Sequence, residues 1–249
     1  MTSAVKYVEN HNGKFIVVQG DQWIRHGIEH VNLIGHELRK FDQLLHVAKK
    51  LRPFQPDVVD GGANMGSWSI PLARVHTNLT FHMFEVQRFL FWLSCGNLAL
   101  NHVLNARPNW KGLSDQVGTI EIPVPDYHRA GNFGAFEVET PFANSDCALV
   151  YLDHTDTVST TTIDELKLSP ILIKLDVEGM EARVISGAAH TIHTYQPLVW
   201  CERQKSNPDV VVPFFTRQGY SVSLAIEGHW LFIPAWLNQN SEVARILAS

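Results

Sequence analysis

Five carboxylates in this chain stand where chemistry would need them. Asp60 closes the apolar pair Val58-Val59, and Glu85 closes the run 79–85. Asp176 ends 171–176, Glu178 follows two residues later, and Glu202 ends 198–202. Short apolar runs bounded by turn residues read as buried strands. In open α/β sheets, ligands bind beyond the carboxyl ends of such strands. Acids gathered there can hold ligand hydroxyl or ammonium groups, take a proton, or bind a cation.

Asp60 opens the stretch Asp60-Gly61-Gly62-Ala63-Asn64-Met65-Gly66-Ser67, with amphipathic sequence behind it. This is a strand, a glycine loop and a helix, the opening of a nucleotide-binding unit. A dinucleotide would bring pyrophosphate to the loop and the helix N-terminus, and Asp60 would repel it. S-adenosylmethionine carries an α-ammonium group instead, which Asp60 suits. Pro71 is tolerated only in a helix's first turn, so the helix should start near Ser69. Glu85, 19 residues after Gly66, stands where a carboxylate accepts ribose hydroxyls. That role fits adenosylmethionine and NAD alike.

The segment Lys174-Leu175-Asp176-Val177-Glu178-Gly179-Met180-Glu181 brings two acids to the sheet edge. Neighbouring carboxylates raise one another's pKa, which suits a general base. They also suit an oxygen-liganded divalent cation, although no metal site is predicted. Alternatively, Glu178 and Glu181 cap the following helix. Glu202 either joins this cleft as a third catalytic candidate or pairs with Arg203 or Lys205.

Around these residues strands and helices alternate, as in a parallel sheet covered on both faces. Residues 1–52 read as an N-terminal extension, with a hairpin about Asn12-Gly13 and a helix over 37–51. Residues 53–249 form the main domain. Its third strand is expected at 109–114, in a hairpin with 119–124. An irregular insertion spans 125–160, with an extra strand at 148–152. One helix is expected over 178–191. A strand at 198–202, a helix from Asn207-Pro208 and a closing hairpin over 221–234 complete the chain.

With 249 residues, 45% apolar and a formal charge of −5, the composition argues against a broad nucleic-acid surface. No apolar run approaches a membrane span, and no secretory signal is read in the opening residues, so a cytoplasmic location is expected. Cys95, Cys147 and Cys201 are scattered and read as reduced thiols. His26/His30 and the 153–156 cluster match no zinc signature. His128 and His154, in the insertion, are candidate substrate contacts. Trp92, Trp230, Phe232 and Trp236 read as packing residues.

Taken together, 57–202 resembles the FkbM family of S-adenosylmethionine-dependent methyltransferases. The resemblance is carried by the 60–66 loop with Ser67 and Ser69, Glu85, Asn97 and Asn101. It continues through Leu113-Ser114-Asp115, 162–166, 174–181 and 197–202. It implies a class I methyltransferase fold: a Rossmann-like, mostly parallel seven-stranded sheet ending in an antiparallel hairpin, with helices on both faces. It implies S-adenosylmethionine as donor, S-adenosylhomocysteine as product, and O-methylation of a sugar, glycan or other small molecule by a monomer or homodimer. By the same resemblance Asp60, Gly62, Asn64 and Gly66 surround the methionine moiety, Gly61 and Ser67 of the same loop belong to the cofactor site, Glu85 takes the ribose, and Ser114 and Asp115 lie near adenine. An NAD-dependent oxidoreductase and a non-catalytic adenosylmethionine-binding module are the competing readings. The former is disfavoured by Asp60 and by the lack of Gly-x-Gly-x-x-Gly. The absence of an Asn/Asp-Pro-Pro-Tyr-type motif counts against amino-group methylation.

Overall fold

The computed structural model describes residues 3–30, 32–138, 148–224 and 228–248, and within 32–36 the backbone only. Strands β1 (Val5–Asn10) and β2 (Gly13–Val18) form the hairpin expected about Asn12-Gly13. Helices α1 (Ile24–His30) and α2 (Asn32–Leu51) follow, so helix begins well before residue 37. Phe41, Leu44, Leu45 and Ala48 of α2 are buried in the core. The hairpin is bound by side chains. Asn97 Oδ1 accepts from Ile16 N at 2.6 Å, and Asn101 Oδ1 accepts from Lys14 N at 2.9 Å.

The main sheet is built from β3 (Asp57–Gly61), α3 (Ser69–Val75), β4 (Thr80–Glu85), α4 (Arg88–Leu100) and β5 (Ala106–Trp110). After an excursion described below come β9 (Pro170–Leu175), α5 (Glu181–Ser186), α6 (Ala189–Tyr195), β10 (Leu198–Glu202) and α7 (Pro208–Thr216). The chain closes with β11 (Ser221–Ser223), β12 (His229–Ile233), α8 (Ala235–Asn238) and α9 (Ser241–Ala248). The strand order is β11-β12-β10-β9-β3-β4-β5. The five strands from β10 to β5 run parallel, β12 is antiparallel to them beside β10, and β11 pairs antiparallel with β12 and so runs with the five. Alternation along β10 shows how both faces are filled. Leu198 and Trp200 join the core under α2, α3 and α4, while Val199 and Cys201 join the core under α5 to α7. Among the described residues no helix is long and apolar enough to cross a membrane.

The excursion is a second sheet of β6 (Gly112–Leu113), β7 (Gly118–Pro125) and β8 (Tyr151–Thr161), ordered β6-β8-β7. Three sequence expectations change here. The third strand of the main sheet is 106–110, not 109–114; its Arg107-Pro108 disguises it, and proline is tolerated because the strand lies at the edge. β7 pairs antiparallel with β8 instead of with its predecessor. The extra strand covers 151–161 instead of 148–152, so the Asp153–Asp156 cluster belongs to a strand.

Two more corrections are local. The helix expected over 178–191 is broken in two at Gly187-Ala188. There a Cβ on Gly187 would sit 2.1 Å from the Ser114 carbonyl oxygen, so the chain turns against that backbone. Trp92 is 55% exposed, its ring beside the Arg88 guanidinium, while Trp230 and Phe232 are buried as expected and Trp236 packs against the core. Cys95 and Cys201 are free thiols, and Cys147 lies outside the described residues.

Candidate active site

Pro71 falls in the first turn of α3, which starts at Ser69. The glycine loop before it is shaped by close approach. Gly62 takes φ +77°, and a Cβ there would lie 1.8 Å from the Asp176 carbonyl oxygen. Gly62 N and Ala63 N donate to Phe84 O, and Asn64 N donates to Glu85 Oε2 at 2.8 Å. Asn97 Nδ2 holds the Met65 carbonyl at 2.9 Å, so one amide clamps the loop and the N-terminal hairpin together.

Asp60 and Lys174 are direct cross-strand partners in the parallel register of β3 and β9. Asp60 is fully buried; its Oδ2 accepts from Ser69 Oγ at 2.6 Å and its Oδ1 lies 3.0 Å from Lys174 Nζ. Lys174 also donates to the Gly62 carbonyl at 3.0 Å and stands 3.6 Å from Asp176 Oδ2. Burial alone would lower its pKa, but the carboxylates of Asp60 and Asp176 outweigh burial and hold the ammonium above its usual range. The cationic head facing Asp60 is therefore the protein's own.

A cavity of about 810 Å³ opens at the carboxyl ends of the parallel strands. Of the residues singled out from sequence, Gly62, Asn64, Ser67, Glu85, Asp176, Glu178 and Glu202 line it. Asp60, Gly61 and Gly66 stand behind that wall and shape it. Ser114 and Asp115 are also off the wall, paired with each other, and Lys111, Gly112 and Leu113 just before them line the cavity. His128 and His154 lie on a separate cavity of about 300 Å³, and Gln87 lines both cavities.

The carboxylates here are unusual. Glu85, only 7% exposed, accepts from Asn64 N and Gln87 N; burial pushes its pKa up to about 7 against those hydrogen bonds. Glu178 sits in the left-handed region at φ +54° and forms an ion pair with Lys205. Burial, then the neighbouring Asp176, raise its pKa to about 8. Glu202 is raised to about 9 by burial and by the charges of Glu178 and Asp176. Glu181 is the capping acid: its oxygens accept from Val177 N at 3.0 Å and Gly179 N at 3.1 Å, fixing the loop that carries Asp176 and Glu178.

Sequence reasoning missed Glu37, Trp200, Lys174 and Lys205 as parts of this site. Glu37 lines the cavity, its pKa raised to about 8 by burial and by Asp176. Its signal was legible: it shares a helical stripe with Phe41, Leu44 and Ala48, and a charge on a buried stripe asks for a function. Trp200 stacks on Trp68 with centroids 5.7 Å apart, and Lys174 Nζ lies 5.5 Å from its ring centre. Lys205 also holds the Ala135 carbonyl at 3.2 Å, tying the acids to the loop over the cavity.

The strand order, with its antiparallel β12 beside β10 and its cavity at the parallel strands' carboxyl ends, defines a class I methyltransferase fold. A family model described as "Methyltransferase FkbM domain" matches residues 60–222, and the chain belongs to that family. Among solved structures it is similar to methyltransferase FkbM from Methylobacillus flagellatus, at 17% identity and a TM-score of 0.49, over 72% of this chain and 43% of that one. It is also similar to the Pyrococcus abyssi tRNA (uracil-54, C5)-methyltransferase solved with S-adenosyl-L-homocysteine, at 9% identity and a TM-score of 0.43. That likeness covers 93% of this chain and 44% of the other. A third is M. jannaschii TYW2 solved with AdoMet, at 11% identity and 0.40, covering 93% and 84%. The chain thus spans less than half the length of the first two. No curated protein matches the sequence.

Proposed function

We propose that the chain is an S-adenosylmethionine-dependent O-methyltransferase acting on a hydroxyl of a sugar, a glycan or a similar small molecule. The observation that supports this reading most is the methyltransferase family match over 60–222, which includes the glycine loop and Glu85 on the cavity wall. Six carboxyl groups (Glu37, Glu85, Glu137, Asp176, Glu178, Glu202) and three lysines (Lys111, Lys174, Lys205) line that cavity. Burial raises Glu37, Glu178 and Glu202 into or above the neutral range, so they serve as hydrogen-bonding groups as much as charges.

The residues fit the donor. Cavities of roughly 300–1,000 Å³ accommodate cofactor-sized ligands. Each oxygen of Glu85 accepts one backbone N–H and keeps capacity for a ribose hydroxyl. Gly62, Ala63 and Asn64 would border the methionine end, and Lys111 to Leu113 the adenine end. Bound there, S-adenosylmethionine supplies a methyl group on a sulfonium, already activated toward an oxygen nucleophile.

The chain's own residues then position the acceptor and take its proton. A sugar hydroxyl is nearly as weak an acid as water, whose pKa is ~16, so proton removal during attack lowers the barrier. Asp176, Glu178 and Glu202 stand within one cluster on the cavity wall. A carboxylate of that cluster would take the acceptor's O–H proton as the methyl–sulfur bond breaks, the methyl passing to the acceptor oxygen and S-adenosylhomocysteine leaving as product. Trp68 and Trp200, stacked on each other and buried, add apolar wall to the same cavity. A glycan long enough to pass Gln87 would reach His128 and His154.

Calorimetry with S-adenosylhomocysteine and with NAD tests the donor, and methyl transfer with Asp176→Ala and Glu178→Ala tests the base. The reading expects product binding without NAD binding, and loss of turnover at nearly unchanged product affinity. NAD binding, or wild-type turnover in both variants, overturns it.

A further inference from the structure

We propose that Asp176, Glu178 and Glu202 form a binding site for one hard divalent cation of the Mg²⁺ type. One carboxylate oxygen from each lies within 4.8 Å of the others. The three come from separate backbone positions: the end of β9, the left-handed turn after it, and the end of β10. Convergence of this kind is what an ion needs, since adjacent residues on one strand point to opposite faces. An all-oxygen donor set selects Mg²⁺, Mn²⁺ or Ca²⁺ over zinc or copper.

Glu202 supplies an independent observation. It is only 8% exposed, and its Oε2 accepts no hydrogen bond among the described residues. A buried carboxylate oxygen left without a donor is costly, and an ion is one of its standard explanations. Local charge points the same way. Lys174 is engaged by Asp60 and Asp176, and Lys205 by Glu178 and by Glu137 at 3.3 Å. Two ammonium groups therefore serve five carboxylates, and Glu202 is the one that neither lysine bonds. A divalent cation between the three acids gives Glu202 its partner.

Cation binding does not depend on methyl transfer. Its role does rest on that reading: the ion would orient an acceptor hydroxyl in the cavity that Glu85 and Asn64 also line.

The test is a titration of the full chain, first stripped with a chelator, with Mn²⁺, following the free ion by electron paramagnetic resonance. One Mn²⁺ per chain is expected, displaced by Mg²⁺. Binding should weaken at least tenfold in Glu202→Gln and in Asp176→Asn, each checked for wild-type circular dichroism. Glu121→Gln, at an exposed acid bonded by Thr155, should bind like wild type. A Mn²⁺ signal that stays free up to millimolar ion, or equal binding by the folded variants, overturns the site. Product binding without Mn²⁺ binding would sink the site and leave the methyltransferase reading standing. Mn²⁺ binding without product binding would do the reverse.

Discussion

Replacing Lys174 by methionine removes the ammonium group from the centre of the molecule while keeping most of the side-chain volume. Asp60, at 0% exposure, would then keep only the Ser69 hydroxyl at 2.6 Å. The carbonyls of Gly61 and Gly62 would lose a donor at 3.3 and 3.0 Å. Removing one partner of a buried pair costs ~3–5 kcal/mol, because a charge is left uncompensated. The two carbonyls place this case toward the upper end. For a chain of this size each kcal/mol lowers Tm by ~2–4 °C, so Lys174→Met should melt roughly 10–15 °C below wild type. The double variant Asp60→Asn/Lys174→Met removes both charges and should be at least ~2 kcal/mol more stable than the sum of the singles, the signature of direct coupling. Urea unfolding followed by circular dichroism reads both quantities. Additive variants, or a Lys174→Met protein melting within ~3 °C of wild type, would refute the pairing. A direct hold on the ligand makes a different forecast: Asp60→Asn alone would abolish S-adenosylhomocysteine binding with little change in Tm.

Asn97→Leu strips the bonds to Ile16 N, Ile16 O and Met65 O from a fully buried position and should cost ~2–4 kcal/mol. Asn101→Ala, at a more exposed position, should cost clearly less; equal losses in paired urea titrations would refute the clamp. Glu85 gives a pH signature. Its folded pKa of about 7 lies above the unfolded value of ~4.3, so between them the unfolded chain has released a proton that the folded chain retains. Stability is therefore lost as pH rises through that window, by up to ~4 kcal/mol at 1.4 kcal/mol per unit. Glu85→Gln removes this contribution, so its stability relative to wild type should climb from pH 4.5 to 7 and then level off. Parallel profiles would defeat the assignment.

The sheet was legible wherever strands are buried on both faces. β10 has the bounds its apolar run indicated, and Pro71 located the start of α3. The errors fall where burial is one-sided or where tertiary contact decides. β8 exposes most of Tyr151–Thr161 and so reads as polar loop. The break at Gly187 depends on the Ser114 carbonyl, more than seventy residues away. The site divides along the same line. Acids at strand tips can be read locally, because strand ends are visible in one run of sequence. Lys174 cannot be assigned to Asp60 that way, because their pairing is created by the adjacency of β3 and β9, a fact of topology.

The cavity wall draws on residues both inside and outside the span that the family model matches. The family match spans 60–222, and within it lie Gly62, Asn64, Glu85, Asp176, Glu178 and Glu202. Trp23, Ile24, Glu37 and His229 line the same cavity from outside that span. The N-terminal residues are held there by backbone bonds: Gln22 N donates to Gly131 O at 3.2 Å, and Gly131 N to Gly20 O at 3.1 Å. Gly20 is obligatory at this crossing, since a Cβ would stand 2.2 Å from the Arg129 carbonyl oxygen. Asn97 then couples the same extension to the glycine loop through Met65. Through Glu37, whose pKa burial and Asp176 raise, the same extension is coupled to the acid cluster as well. The cavity wall is therefore assembled partly by N-terminal residues that lie outside the matched span and are fixed in place by the extension's own backbone contacts.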